Sequence, residues 1–297
     1  MLSEDTLKYY LQAGRIASEV RREVKDLVKE GALILQICNS VERGIRRRGG
    51  EVAFPCNVCV NEVAAHYSSP PNDGKRIPKG AVVKVDLGVH VEGYIADTAT
   101  TVSLNPHYKS MVFAVNKALE QAINAIKPRI KINDVAKVVR DTIERYGFKP
   151  IRNLSGHQMS RYVLHTGKSI PNVPGFGFQR MSEGEVYAIE PFLTQASGSG
   201  LVKNTKEGYI YRFQKVRRLA NPRADKLLTA IRSKYRSLPF SFRWIDAGDG
   251  GSDVFDELVS KRCVARYNVL VELKGGLVAQ AEHTVVVTKD GCVVTTR

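Results

Sequence analysis

Residues 4–30 place Leu7, Leu11, Gly14, Ala17 and Val20, then Val24, Leu27 and Val28, on one stripe of a 3.6-residue period. That spacing predicts an amphipathic helix with one face buried. Gly31 breaks it, and a second helix is predicted over residues 33–45, ended by Gly49-Gly50. Residues 52–60 read as extended, with Pro55 interrupting them. The clearest strand signal lies at 81–102. Val82, Val83, Val85, Leu87 and Val89 lead to a turn near Glu92-Gly93, and Ala96 to Val102 returns. Two more helices follow. One covers about 108–126 and stops before Pro128; the other is capped by Asn133 or Asp134 and ends at Gly147. Strand-like segments recur at about 186–193, 209–216 and 269–295.

The order is therefore helix, helix, strands, twice over, which points to two similar halves although no residue-level repeat is visible. The second half is longer. Its stretch from about 218 to 264 reads as helical, with Leu227, Leu228, Ile231, Phe255, Leu258 and Val259 as the apolar positions. It also holds the turn-rich run Asp246-Ala247-Gly248-Asp249-Gly250-Gly251. This stretch is expected to be an insertion in the second half's sheet.

Composition adds a few constraints. A chain of 297 residues with 43% hydrophobic and 25% charged residues can bury a large core. No run of eighteen apolar residues occurs, so no transmembrane helix is expected. The first residues (Met1, Leu2, Ser3, Glu4, Asp5) do not resemble a secretory signal, which places the chain in the cytoplasm. Five cysteines (Cys38, Cys56, Cys59, Cys263, Cys292) do not suggest a disulfide framework. Cys56 and Cys59 form one C-x-x-C without the second ligand pair that a structural zinc site needs, so they read as small side chains near a loop. The net charge of +15 is concentrated: residues 203–270 carry 15 Lys/Arg against 7 Asp/Glu. Such a face either is simply solvated or meets an acidic partner such as RNA.

The candidate chemistry lies in carboxylates within strands. With residues 91 and 92 at the hairpin tip, Asp86 would sit directly opposite Asp97. Two like charges so close repel unless neutralised, and a divalent cation does this with oxygen ligands. The plain alternative is two strand-end aspartates in solvent. Glu190 ends the apolar run Val186-Tyr187-Ala188-Ile189, and Glu282 interrupts an apolar stretch from Val278 to Val287. A carboxylate in such a setting is rarely buried unpaired. His157 would add a nitrogen ligand to this oxygen-rich set.

Seven segments then carry a resemblance. They are Phe54-Pro55 with Ala64-Ala65-His66-Tyr67; Val85-Asp86-Leu87-Gly88; Ala96-Asp97-Thr98; Gly156-His157; His165-Thr166-Gly167-Lys168; Ile189-Glu190-Pro191-Phe192; and Ala279-Gln280-Ala281-Glu282-His283-Thr284. In this order they resemble the methionine aminopeptidases of type II, and the absence of a long charged N-terminal extension resembles the archaeal members. The resemblance implies an α+β pita-bread fold, two pseudo-symmetric α/β halves around a dinuclear site. It implies one catalytic domain over residues 1–297 with an insertion at about 203–270. By the same resemblance Asp86 chelates one metal, Asp97 and Glu282 bridge both, and His157 and Glu190 are ligands that complete the coordination of the other metal. Two divalent ions are implied, with Co, Mn, Fe and Zn all compatible with the donor set.

The activity implied is removal of the N-terminal methionine from nascent chains with a small second residue, by metal-bridged hydroxide attack on the first peptide bond. Glu190 would move the proton, His165 would stabilise the oxyanion and His66 would bond near the scissile amide. Phe54, Leu164 and Tyr267 match positions that line the methionine pocket. A monomer is expected, with the ribosome as a possible acidic partner of the basic insertion. Two alternatives are an Xaa-Pro aminopeptidase or dipeptidase of the same superfamily, and a non-catalytic ribosome- or RNA-binding relative.

Overall fold

The computed structural model describes residues 2–246 and 251–297, so residues 247–250 of the expected turn cluster, and Met1, lie outside the described residues. Helix α1 spans Glu4–Leu27 and starts where Ser3 accepts a hydrogen bond from the Thr6 amide. It stops at Val28, three residues before Gly31 with its φ of +76°, so it is slightly shorter than the apolar stripe. Helix α2 spans Ile34–Arg47. The two helices pack on an antiparallel sheet of order β1-β3-β4, where β1 is Glu51–Val60, β2 is Val63–Ala65, β3 is Val82–Val91 and β4 is Tyr94–Ser103. Pro55 does not end β1. Register shifts between Val52 and Phe54 and between Phe54 and Asn57 carry the strand past the missing N–H.

The second half repeats the plan. Helices α3 (Lys109–Ala125) and α4 (Ile132–Arg145) cover a five-stranded antiparallel sheet. The strands of this half begin with β5 (Lys149–Pro150), β6 (Ser155–Met159), β7 (Ser169–Pro171), β8 (Val186–Ile189), β9 (Phe192–Thr194) and β10 (Val202–Asn204). Strand β14 is Leu270–Glu272, β15 Val278–Gln280, β16 His283–Val287 and β17 Cys292–Val294; the large sheet runs β17-β16-β8-β6-β7, while β5 and β9 lie with β15 in a small separate sheet and β10 pairs with β14. The expected cap of α4 is not the one used. Lys131 holds the cap position without a side-chain bond, while Asn133 points its amide at the loop carrying Gly175 and Gly177. Local sequence favoured a capping Asn, but a tertiary partner took it.

Between β10 and β14 lies the insertion. Its sheet has the order β12-β11-β13, from β11 (Ile210–Phe213), β12 (Phe240–Ser241) and β13 (Val264–Tyr267). Helices α5 (Pro222–Tyr235) and α6 (Gly251–Ser260) close a separate apolar cluster around Leu228, Ile231, Phe240, Phe255 and Leu258. The stretch read as helical, with its turn-rich run at 246–251, also holds β12 and a short 3-10 turn at Phe242–Trp244. From that turn Arg243 reaches Glu42 on α2 in a bidentate pair, at 2.8 and 3.0 Å. No helix among the described residues is long and apolar enough to cross a membrane. Cys56 and Cys59 are free and buried within β1, not near a loop, and the thiol that approaches Cys56 is that of Cys38 on α2.

The β3–β4 hairpin also corrects the expected register. Glu92 and Gly93 both have positive φ, 52° and 86°, and form the two-residue tip. Such a turn matches the right-handed twist of the strands. Pairing is then Val91 with Tyr94, Gly88 with Asp97 and Asp86 with Ala99. Asp86 and Asp97 are diagonal neighbours, not directly opposite. A shift of two keeps both on one face of the sheet, whereas a shift of one would have separated them.

Candidate metal centre

Five elements bring carboxylates and imidazoles to one place. Asp86 and Asp97 come from the hairpin, His157 from the middle of β6, Glu190 from the end of β8 and Glu282 from the break between β15 and β16. The two halves meet along β4 and residues 280–284. Thr101 bonds the Gln280 carbonyl at 2.6 Å, Thr98 the Glu282 carbonyl at 2.8 Å, and the Asp97 amide donates to Thr284 at 2.7 Å. These threonines, fully or almost fully buried, set the separation of the two acidic strands. In the other direction, His157 pairs with Ala188 and His283 with Ile189, which draws β6, β8 and β16 together.

All five side chains line a single cavity of about 250 Å³. His157 Nε2 lies 3.6 Å from Asp97 and 3.5 Å from Glu190. One donor atom each of Asp97, His157 and Glu282 falls within 4.8 Å of the others. Burial pushes the carboxyls of Asp97, Glu190 and Glu282 well above the usual range, and their mutual repulsion adds to it. Asp86 is pushed up to about 7, again by burial. His157 is driven well below its ordinary value by burial and by the neighbouring His165, so its ring is neutral and free to act as a ligand. Asp86 Oδ1 and Asp97 Oδ1 are buried with no hydrogen-bond partner among the described residues. Four acids, two orphaned oxygens and one neutral imidazole form a donor set that fits hard or borderline divalent cations.

The remaining expected residues line the same cavity. His66 sits at φ 68°, a conformation that a non-glycine residue rarely holds. Its Nδ1 is 3.1 Å from the Asn268 carbonyl. A carbonyl only accepts, so Nδ1 carries the proton and Nε2 is left as an acceptor. Burial lowers the pKa of this ring below its ordinary value, which favours the neutral form. His165 packs against His157 with ring centroids 4.2 Å apart, and its pKa is lowered to about 4 by burial and then by His66 and Arg212. Phe54, Leu164 and Tyr267 supply apolar wall. Gly88 makes the seat for Phe54, since a Cβ there would fall 2.2 Å from its ring.

Further residues at the site were given no role from sequence. Asn57, opposite Asp86 on β1, and Gln280, whose amide lies 3.4 Å from both Glu190 and Glu282, are polar groups inside apolar strands. That misfit was the available signal. Ile210 and Pro239 come from the insertion and carried no signal, because nothing local in the sequence ties the insertion to the cavity wall.

The profile of metallopeptidase family M24 matches residues 8–289. The chain belongs to metallopeptidase family M24. Among M24 relatives, the methionine aminopeptidase of Methanocaldococcus jannaschii is 45% identical over 287 residues, covering 97% of each chain. Among solved structures, a thermophilic Arx1 superposes with a TM-score of 0.87 at 19% identity, covering 99% of this chain and 91% of that one. The methionine aminopeptidase of Thermotoga maritima superposes with a TM-score of 0.72 at 23% identity, covering 100% and 98%. At such identities the structural likeness carries the fold, which is the pita-bread fold of M24.

Proposed function

We propose that this chain removes the N-terminal methionine from nascent polypeptides, as a metal-dependent methionyl aminopeptidase. The observation that carries the reading is the convergence of four buried acids and His157 on one cavity with an apolar wall, in an M24 chain matched almost end to end by an archaeal methionine aminopeptidase.

Asp86, Asp97, His157, Glu190 and Glu282 are the residues that hold two divalent ions, of Co, Mn, Fe or Zn. When bound, such ions supply Lewis acidity and lower the pKa of a coordinated water. The rest is the work of the chain. Phe54, Leu164 and Tyr267 take the methionine side chain, where one methylene is worth roughly 1–3 kcal/mol of discrimination. Glu190, at the cavity wall and beside His157, accepts the proton of the attacking water and returns it to the leaving amine. His66 accepts the scissile N–H through Nε2. His165, neutral at working pH, donates to the carbonyl oxygen as it gains charge. Crowding by the cavity wall favours a small second residue.

The same reading makes residues 1–297 one catalytic unit, monomeric and cytoplasmic, with the insertion at about 203–270 as its contact with the ribosome. The excess of 15 Lys/Arg over 7 Asp/Glu in that stretch supports an acidic partner. Metal analysis of gently purified protein, joined to an assay on Met-Ala-Ser, tests the activity. Release of methionine with metal present and loss of release in a Glu190→Ala variant are expected. Preferential cleavage of an Xaa-Pro peptide would instead assign the chain to the other substrate class.

A further inference from the structure

Phe176 and Phe178 are the most exposed large apolar side chains among the described residues, at 113% and 89% of full exposure. They alternate with Gly175 and Gly177 on the loop after β7. This loop is held at several points. Asn133 donates to the carbonyls of Gly175 and Gly177 at 2.8 and 2.9 Å and accepts from the Gly175 amide at 3.1 Å. At its start, buried Asn172 donates to the carbonyls of Ile151 and Leu154 and accepts from the Phe192 amide. At its end, Lys168 bonds the Arg180 carbonyl at 2.8 Å. The two rings therefore stand in water on an anchored backbone. Exposed aromatic side chains presented in this way mark a contact surface.

Under the loop runs a groove of about 330 Å³, whose apolar lining includes Ile132, Leu154, Pro171 and Phe176. Asn153, Leu154, Ser155 and Ser169 line both this groove and the catalytic cavity, so the two adjoin along a shared rim. Ser169 pairs with His157 across β6 and β7, which puts the shared rim one strand away from the acidic cluster. An extended chain whose first residue lies in the cavity has this groove as a way out.

We infer that the groove binds the substrate segment that follows the cleaved bond, at about the third to sixth residues of an extended polypeptide, with Phe176 and Phe178 contacting apolar side chains. The inference rests on the aminopeptidase reading for its substrate class. It makes the enzyme selective for chains whose early residues are apolar and unfolded, beyond the first two residues.

The test uses metal-loaded full-length protein and three peptides: Met-Ala-Ser, Met-Ala-Ser-Ser-Ser-Ser and Met-Ala-Ser-Leu-Phe-Ser. The wild type is expected to favour the apolar hexapeptide over the polar one by about tenfold in kcat/KM, mainly through KM, the scale of burying part of one aromatic ring. In the double variant F176S/F178S that preference vanishes while Met-Ala-Ser is cleaved as before. Asn133→Ala, which frees the loop and keeps both rings, reduces it part of the way. Equal kcat/KM on the two hexapeptides in the wild type, or an unchanged preference in F176S/F178S, overturns the inference. Calorimetric binding of Ala-Ser-Leu-Phe-Ser to metal-free protein reads the groove without catalysis. Binding by the wild type that the double variant loses supports the groove even if Met-Ala-Ser is not cleaved, and no binding by the wild type overturns it.

Discussion

Two buried polar clusters lie on either side of β1, and their electrostatics are opposite. Under the insertion, Arg243 is held by Glu42, Asn39, Ser68 and the Ser69 carbonyl, and Glu42 also accepts from Trp244 and the Cys56 amide. Charge is matched and donors are satisfied. The hydrogen bonds and charge of Glu42 outweigh burial and raise the Arg243 pKa. In the cavity, Asp86, Asp97, Glu190 and Glu282 stand together with raised pKa values and two oxygens without partners. A cluster that neutralises itself is a structural joint. A cluster of one sign at this depth is a site prepared for a cation, at a cost in stability when empty of one.

The largest effect expected from breaking this contrast is on activity. Asp97→Ala or Glu190→Ala lowers metal-dependent methionine release on the order of a thousandfold or more, with the fold intact by circular dichroism. Either variant at full activity would remove it from the ligand set. Next comes Arg243→Met, which leaves Glu42 buried and unpaired and lowers stability by about 3–5 kcal/mol in urea unfolding. A loss well under that range would mean that the joint is not the anchor of the insertion.

The third test uses pH. Carboxyls whose folded pKa is raised hold protons that the unfolded chain has already released, so the folded state binds more protons. Their contribution to stability is present below the unfolded carboxyl range and is lost as pH rises through the folded values, about 7 for Asp86 and well above the usual carboxylate range for the other three. Metal and protons compete for the same oxygens. The rise in Tm on adding Mn²⁺ to chelator-treated protein should therefore grow from pH 6.5 to pH 8.5, and should shrink in Asp97→Asn. A gain independent of pH would argue that the ion binds elsewhere. The smallest catalytic effect is expected on the insertion's surface, where Lys215, Arg217 and Arg218 are exposed. Their joint replacement by Gln should change Met-Ala-Ser cleavage by less than about twofold, because exposed charges contribute little to the fold. It should weaken co-sedimentation with ribosomes, and unchanged co-sedimentation would undo the proposed partner surface.

The carboxylates were legible because they broke a pattern. Glu190 and Glu282 are conspicuous among Val, Ile and Ala, and burying an acid requires a reason. Asn57 and Gln280 broke the same pattern less visibly, since an amide in a strand has many uses. The Asn133 cap was misread because a side chain that suits a helix end also suits a loop forty residues away, and distance along the chain hides the competitor.

By itself the sequence determined the periods of the elements, the repeated helix-helix-strand order and the chemistry of the donor set, because these depend on neighbours a few positions apart. Tertiary structure decided the rest. The positive φ of Glu92 and Gly93 made Asp86 and Asp97 diagonal, and buried threonines on β4 set their distance from Glu282. Packing of the insertion brought Ile210 and Pro239 to the cavity wall, and the Asn133 clamp stood Phe176 and Phe178 in solvent. Register and wall depend on contacts between residues far apart in the chain, which no local pattern encodes.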